Sequence, residues 1–179
     1  MQNETTPPAT RTRQFTRAAC WGAVIAFLVS ISILVIRVRG RMAPVDLATL
    51  NGAEQQWQQA NIKDYDLEIE ISERQRRHFR IQVRDSKITR LWHNDQLQKQ
   101  PERYRAWTVQ GMFQVIRTDV EQQLQPQQAA QNTVLTHLTI RAEFHPTYGF
   151  PQRYIRVEHR QQGNNPEISW KITSFDPQE

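Results

Sequence analysis

Cysteine is nearly absent from this chain of 179 residues, and its scarcity removes two classes of protein. A single cysteine, Cys20, excludes a disulfide framework and a zinc site built on cysteines. Glycine is also scarce, and the sequence has no phosphate-binding loop, no Gly-x-Ser-x-Gly elbow and no His-Glu-x-x-His pair. We therefore expect a protein that is not an enzyme and has no cofactor. Wholesale disorder is excluded as well, because 38% of the residues are hydrophobic.

Net charge is lacking over most of the chain, although the whole carries +5. Residues 1–42 hold six arginines and one glutamate, which accounts for the whole excess. Residues 43–179 hold 17 basic and 17 acidic residues, so their formal charge is zero. A domain that binds nucleic acid normally carries a basic surface. We therefore expect no nucleic-acid partner.

One apolar run, residues 18–36, contains no charged residue. As a helix it would extend about 28 Å, close to the ~30 Å hydrocarbon core of a membrane. A buried core helix is one alternative, but such a helix normally shows a polar stripe. A cleaved signal peptide is the other, but its apolar region is shorter and is followed by small residues, whereas Arg37 follows here. The run therefore predicts a signal anchor, a single-pass transmembrane helix that is not cleaved.

Arginines flank this run on both sides: Arg11, Arg13, Arg17, Arg37, Arg39 and Arg41. Positive flanks orient a membrane span, and here they are nearly balanced. The tail of residues 1–17 is short and rich in Pro and Thr, so we predict it to be disordered and cytoplasmic. The C-terminal domain is then extracytoplasmic at the cell membrane. Cys20 opens the run as a small apolar residue, with palmitoylation as the alternative.

The rest of the chain predicts a juxtamembrane linker over residues 37–53 and an α+β domain over residues 54–179. A helix is expected from Glu54 to Ile62, with Trp57 inward and Asn51 or Gly52 as its cap. Alternation of apolar and polar residues then predicts three strands. Their inward residues are Tyr65, Leu67, Ile69 and Ile71, then Phe79, Ile81 and Val83, then part of the run 87–92. Asp85-Ser86 is a two-residue turn before the third strand.

The second half repeats this order after a polar loop over 93–107. Thr108 caps a helix that Pro126 ends. The apolar stripe of this helix comprises Val109, Met112, Phe113, Ile116, Val120 and Leu124. The inward residues of three further strands are Leu138, Ile140, Ala142 and Phe144, then Ile155 and Val157, then Ile168, Trp170 and Ile172. The fold class is thus α-βββ-α-βββ, an antiparallel sheet packed on helices.

Charges on the polar strand faces predict the register of two hairpins. The predicted pairs are Glu70–Arg80, Glu68–Gln82 and Asp66–Arg84 in the first hairpin, and Glu143–Arg156 and Arg141–Glu158 in the later one. This pairing predicts a polar face whose charges neutralise one another.

Four motifs, taken in order, resemble an uncharacterised bacterial family, domain of unknown function 6174. They are Trp57 followed by Tyr65, the hairpin Val83-Arg84-Asp85-Ser86-Lys87-Ile88, the helix start Thr108-Val109 with Met112-Phe113 and Ile116, and Tyr148-Gly149-Phe150-Pro151. The resemblance covers residues 57–175. Departures are Ser86 for Gly, Phe150 for Tyr, and the absence of the paired cysteines that many members carry. The resemblance implies an exported or surface-tethered domain and supplies no activity or site.

Two kinds of candidate site contain histidine or carboxylate. His137 and His145 share a strand face but lie about 26 Å apart, too far to share a metal ion. His159, with Glu143, is an alternative partner across the hairpin, although surface histidines are the simpler interpretation. Three carboxylates also share a strand face: Asp66, Glu68 and Glu70. They suit acid–base chemistry only if buried, and their polar parity favours solvated charges.

A basic cluster lies beside these carboxylates: Arg74, Arg76, Arg77 and Arg80. It suits phosphate or anionic lipid headgroups, but local neutralisation of the carboxylates is favoured. Two functions remain. The first is a membrane-tethered, non-catalytic domain of the cell envelope, an interaction or accessory module that binds a protein or a polymer by its sheet or a sheet edge. The alternative is a small-ligand-binding domain, which predicts a cavity of a few hundred Å³ between the sheet and the helices.

Overall fold

The computed structural model describes residues 42–124 and 135–178. The elements in these ranges are α1 (Leu47–Ala60), β1 (Tyr65–Ser72), β2 (Arg76–Arg84), β3 (Lys87–His93), β4 (Gln96–Leu97), a 3₁₀ helix (Pro101–Trp107), α2 (Val109–Leu124), β5 (Leu135–Phe144), β6 (Pro151–Arg160) and β7 (Glu167–Pro177). The strands form a seven-stranded sheet in the order β4-β3-β2-β1-β7-β6-β5. Every pair is antiparallel, so the α+β class with an antiparallel sheet is confirmed.

The predicted tail, the transmembrane helix over 18–36 and the six flanking arginines lie outside these described ranges. Pro126, the predicted end of the second helix, also lies outside them. Among residues 42–124 and 135–178, no helix is both long enough and apolar enough to cross a membrane.

Helix α1 begins at Leu47, seven positions before the predicted start at Glu54. Asp46 is the cap, because its Oδ1 accepts a hydrogen bond of 2.8 Å from the Thr49 N–H. Asn51 and Gly52, the predicted caps, lie inside the helix. The cause is Leu50, which is fully buried and adds one turn to the apolar stripe of the helix. Part of the segment predicted as a linker therefore belongs to the folded unit.

One apolar core lies between the helices and the face of the sheet that they cover, called here the inner face. Trp57 of α1 packs edge-on against Tyr65, Phe150 and Phe175, with ring centroids 5.7 to 6.3 Å apart. The Tyr65 hydroxyl accepts a hydrogen bond from the Val109 N–H, which fixes the start of α2 over β1.

The apolar stripe predicted for α2 is buried except at its end. Thr108 caps this helix as predicted, since its Oγ1 accepts from the Gly111 N–H at 3.0 Å. Leu124, however, is 65% exposed, so its assignment to the apolar stripe is wrong. Leu124 is the last helical residue, and the core contacts of α2 end at Val120.

The Asp85-Ser86 turn is confirmed, with φ of 50° and 61° at the two residues. Both belong to the left-handed region that such a turn needs. Two hydrogen bonds hold it: the Ser86 N–H donates to the Lys63 carbonyl, and the Asp85 N–H donates to Asp64. These bonds offset the conformational cost of serine at a position that favours glycine.

The predicted register of the β1–β2 hairpin is wrong by two residues. Glu70 faces His78, Glu68 faces Arg80, and Asp66 faces Gln82. Strand β2 begins at Arg76, three residues before Phe79, the first inward residue predicted for it, and this leaves a three-residue turn between the strands. A shift of two preserves which side chains face the core, so the inward set of both strands is as predicted.

The predicted register of the β5–β6 hairpin is wrong by three residues, and an odd shift turns one strand over. Glu143 faces Arg153, and Ile140 faces Arg156. Ile155 and Val157 therefore face outward, and the prediction that they face inward is wrong. Tyr154 takes the buried position and stacks on Trp170 at 5.3 Å. The larger aromatic side chain fills the core, and Asp119 of α2 contacts both Tyr154 and Arg156.

The loop predicted over 93–107 contains two short elements that periodicity did not indicate. Strand β4 pairs with the end of β3, through a turn at Asn94 and Asp95 with φ of 47° and 65°. The 3₁₀ helix then begins at Pro101 and packs on β3. Strand β4 has two residues and the 3₁₀ helix has seven, and elements this short do not show a recognisable hydrophobic period in the sequence.

Strand β5 forms one edge of the sheet, and the chain before α1 crosses part of it. Pro44 bridges to Arg141, and the Val45 N–H donates to the Ile140 carbonyl at 3.3 Å. Proline has no N–H to offer a further strand. The first residues of the folded unit therefore cover the middle of this edge.

Candidate functional site

The outer face of the sheet, opposite the helices, carries the charged and polar side chains of every strand longer than two residues. Its central members are Asp66, Glu68, Glu70, His78, Arg80, Gln82, Arg84, Arg90, Trp92, Ser169, Lys171, Arg153, Ile155, Val157, His137, Thr139, Arg141 and Glu143. The described helices pack on the inner face, where α2 contacts β5 and β6 and the 3₁₀ helix contacts β3. Among the described residues, no helix covers the outer face, which makes it the broad surface that we consider as a candidate site.

The three carboxylates of β1 lie on this face as predicted. Asp66 accepts from Arg84 Nη1 at 2.7 Å and from Gln82 Nε2 at 3.2 Å. The hydrogen bond to Asp66 raises the pKa of the Arg84 guanidinium. Glu68 lies 3.6 Å from His78 Nε2. Asp66 and Glu68 thus have polar partners and side chains that are 34% and 39% exposed, which is the arrangement of solvated surface charges.

The predicted arginine cluster does not come together as one site. Arg77 of β2 pairs with Glu73 of the preceding turn at 2.9 Å, whereas Arg80 lies on the outer face opposite Trp92. The Arg80 guanidinium carbon lies 4.6 Å from the centre of the Trp92 ring, a cation–π contact. Arg84 instead neutralises Asp66, from a position two residues along β2 from Gln82, the direct cross-strand partner of Asp66.

Strands β2, β3 and β4 form a feature called here the Trp92 shelf, which comprises Arg80, Lys87, Arg90, Trp92 and Leu97. Trp92 lies directly between Arg80 and Leu97 in the cross-strand row. Leu97 is 61% exposed. Among the described residues, no ion pair within 4.0 Å involves any of the three cations of the shelf. The shelf thus combines unpaired positive charge with exposed apolar surface.

The histidines at the other end of the outer face form a pair. His137 faces His159, with ring centroids 4.0 Å apart and planes within 9°. His159 Nε2 lies 2.9 Å from Thr139 Oγ1. Nearly parallel rings direct their nitrogen lone pairs side by side, which is unsuited to a shared metal ion. Glu143, the third candidate ligand, pairs with Arg153 instead.

His145 lies apart from that pair, in the turn before β6. Its Nδ1 accepts from the Thr147 and Tyr148 N–H groups, and burial lowers the pKa of its imidazole. Within the described ranges, no group of three or more His, Cys, Asp or Glu residues is placed to hold a metal ion.

A shallow depression of about 200 Å³ lies on the outer face over β1, β7 and β6. Its lining includes Met42, Glu70, Ser72, Arg153, Ile155, Ser169 and Lys171. Lys171 faces Glu70 on one side and Arg153 on the other. The volume is smaller than the ~300–1,000 Å³ of typical small-molecule sites.

A polar network joins α2 to β6 on the inner face, and periodicity gave no sign of it. Tyr154 donates to Asp119, Arg156 Nε lies 3.3 Å from Asp119, and Arg156 Nη1 donates to Glu158 at 2.6 Å. Hydrogen bonds from Arg160 and Arg156 lower the pKa of Glu158, and burial raises the pKa of Tyr154. The side chains of Asp119, Arg156 and Glu158 are at most 19% exposed, so the network braces the helix on the sheet.

The family comparison agrees with the resemblance found in the motifs. Residues 49–177 match a family of unknown function, DUF6174, and the chain belongs to that family. No curated protein matches the chain, and no solved structure matches it. The matched segment contains the whole sheet and most of α1, and it starts after the apolar run.

Proposed function

We propose that this protein is a membrane-tethered, non-catalytic domain of the cell envelope, an interaction or accessory module. The apolar run over 18–36 with its arginine flanks supports the tether. The open outer face of the sheet supports the interaction role, because a broad polar surface with half-buried apolar residues suits a protein partner.

The observation that carries this proposal is the filled core. The inner face is closed by side chains that are almost completely buried, among them Leu50, Ile81 and Phe113. A ligand-binding domain of the alternative kind needs room between these layers. The ~200 Å³ depression in the described part of the chain lies on the opposite face. The packing therefore favours a binding surface over an internal ligand cavity.

Localisation tests the tether. In a Cys20→Ser background, Gln162→Cys places a thiol on an exposed loop of the domain, and Thr5→Cys places one in the tail. A maleimide that does not cross membranes should label Gln162→Cys in intact cells and spare Thr5→Cys until lysis. Labelling of Thr5→Cys alone in intact cells would indicate the opposite orientation, with the domain in the cytoplasm. Release of the chain from membranes by alkaline carbonate would contradict the anchor.

Photo-crosslinking tests the interaction surface. A photoreactive amino acid at Arg141, on the outer face, should give a discrete crosslinked species in intact cells. The matched control is Gln122, an exposed position on α2 over the inner face. Equal crosslinking from both positions would contradict a partner on the outer face.

A further inference from the structure

We propose that the Trp92 shelf contacts the surface of the membrane, with its cations on anionic lipid phosphates and its apolar side chains among the headgroups. This inference rests on the proposed membrane tether and adds the surface by which the domain lies against the bilayer. Of the shelf residues only Arg80 belongs to the basic cluster predicted from the sequence, and the other four belong to no predicted site.

The apolar component of the shelf is the first argument. Leu97 projects from the short hairpin between β3 and β4, and Trp92 lies beside it. Tryptophan is favoured where one side of a ring meets hydrocarbon and the other meets polar groups. The guanidinium of Arg80 over the Trp92 ring places a cation at the same level. This combination matches the boundary between headgroups and acyl chains.

The charge of the shelf is the second argument. Arg80, Lys87 and Arg90 lie on neighbouring strands of the outer face, and Arg80 faces Glu68 of β1 on its other side. No ion pair among the described residues neutralises them. Basic residues at an anionic membrane surface contribute about 1 kcal/mol each. Three such residues supply an attraction that the zero net charge of residues 43–179 conceals.

The third argument is that Met42, which follows the apolar run closely in the sequence, lies on the same face of the sheet as the shelf. The apolar run ends at Ile36, and Met42 lines the depression on the outer face. Six residue steps reach at most about 22 Å. Strand β3 lies three strand spacings from β7, which is roughly 14 Å. The first described residue and the shelf therefore lie on the same face and within a short reach of each other.

The test uses the full chain in a Cys20→Ser background, reconstituted into vesicles of phosphatidylcholine with or without phosphatidylglycerol. An environment-sensitive fluorophore is attached at Leu97→Cys. The matched control is Leu124→Cys, a leucine of similar exposure at the end of α2. Quenching by a lipid that is spin-labelled near its headgroup reports contact with the membrane surface.

We expect quenching at Leu97→Cys on the anionic vesicles and none at Leu124→Cys. Replacing Arg80, Lys87 or Arg90 by Gln should lower the docked-to-undocked ratio about fivefold each, because ~1 kcal/mol corresponds to that factor. Thermal unfolding of each variant should match that of the parent, since these side chains are on the surface. High salt should reduce the quenching.

Three results would overturn the inference. The first is no quenching at Leu97→Cys, and the second is equal quenching at both positions. The third is a response of the Leu97→Cys probe to heparin on zwitterionic vesicles without quenching on anionic ones, which would identify a soluble polyanion as the partner. Resistance to carbonate extraction reports the tether separately. A chain that resists extraction but shows no quenching would support the tether and contradict membrane contact by the shelf. A chain that shows quenching but is extracted would support the shelf contact and contradict the tether.

Discussion

Single side chains at the contact between α2 and the sheet determine much of the stability of this fold. Phe113 is 1% exposed and stacks on Phe144 at a centroid distance of 6.2 Å. We expect Phe113→Ala to lower the free energy of unfolding by ~3–5 kcal/mol, through lost burial and the cavity left behind. Urea unfolding measures this, with the exposed neighbour Gln114→Ala as the control. Equal stability of the two variants would contradict the assigned packing.

Glu158 predicts an acid dependence of stability. Hydrogen bonds from Arg160 and Arg156 hold its folded pKa below the ordinary value of 4.5. A carboxyl with a depressed folded pKa contributes stability above its unfolded pKa and loses that contribution as the pH falls through the folded value. Glu158→Gln should therefore shrink the difference between urea midpoints measured at about pH 7 and about pH 3. Glu121→Gln, an exposed position on α2, should leave that difference unchanged.

Glycines in the two helices offer a matched pair at the scale of the element. A Cβ at Gly52 in α1 meets nothing within 4 Å, so Gly52→Ala should raise stability by up to ~1 kcal/mol. A Cβ at Gly111 in α2 would lie 2.1 Å from the Arg105 carbonyl oxygen. Gly111→Ala should therefore destabilise the protein by ~1–3 kcal/mol despite its better helix propensity. Thermal unfolding distinguishes the two, and shifts of the same sign would contradict the close approach of α2 to the 3₁₀ helix.

The sequence predicted the type and order of the long elements, because their periods are carried by many residues. The stripe Val109, Met112, Phe113 and Ile116 and the alternation from Tyr65 to Ile71 are both observed. The predictions of strand register were wrong because register depends on turn length, and the sequence does not mark where the turn residues begin and end. The prediction of which β6 side chains face the core was wrong, because Arg156 is inward only by virtue of its contact with Asp119, which lies on α2. The Trp92 shelf was missed for a related reason, since it needs a two-residue strand to place Leu97 beside Trp92.

The balance of charge over the whole domain predicts weak affinity for nucleic acid. Residues 43–179 have a formal charge of zero, and ion pairs such as Arg153–Glu143 occupy part of the outer face. Three unpaired cations on the shelf give few phosphate contacts compared with those of a DNA-binding domain. We expect the compact unit from Met42 to show no salt-sensitive binding to a DNA duplex near physiological ionic strength. Tight binding in fluorescence anisotropy that weakens steeply with salt would contradict this.

The crossing of β5 by Pro44 and Val45 has a consequence for crowding. Molecules held in the plane of a membrane meet one another far more often than the same number free in solution. Each open strand edge is then a template on which a second copy can add its own strand and begin a fibrous aggregate. Here Pro44 covers the middle of one edge, and at the other edge the two-residue strand β4 covers the end of β3, at Trp92 and His93. Both covers shorten the stretch of free strand edge on which a second copy could pair.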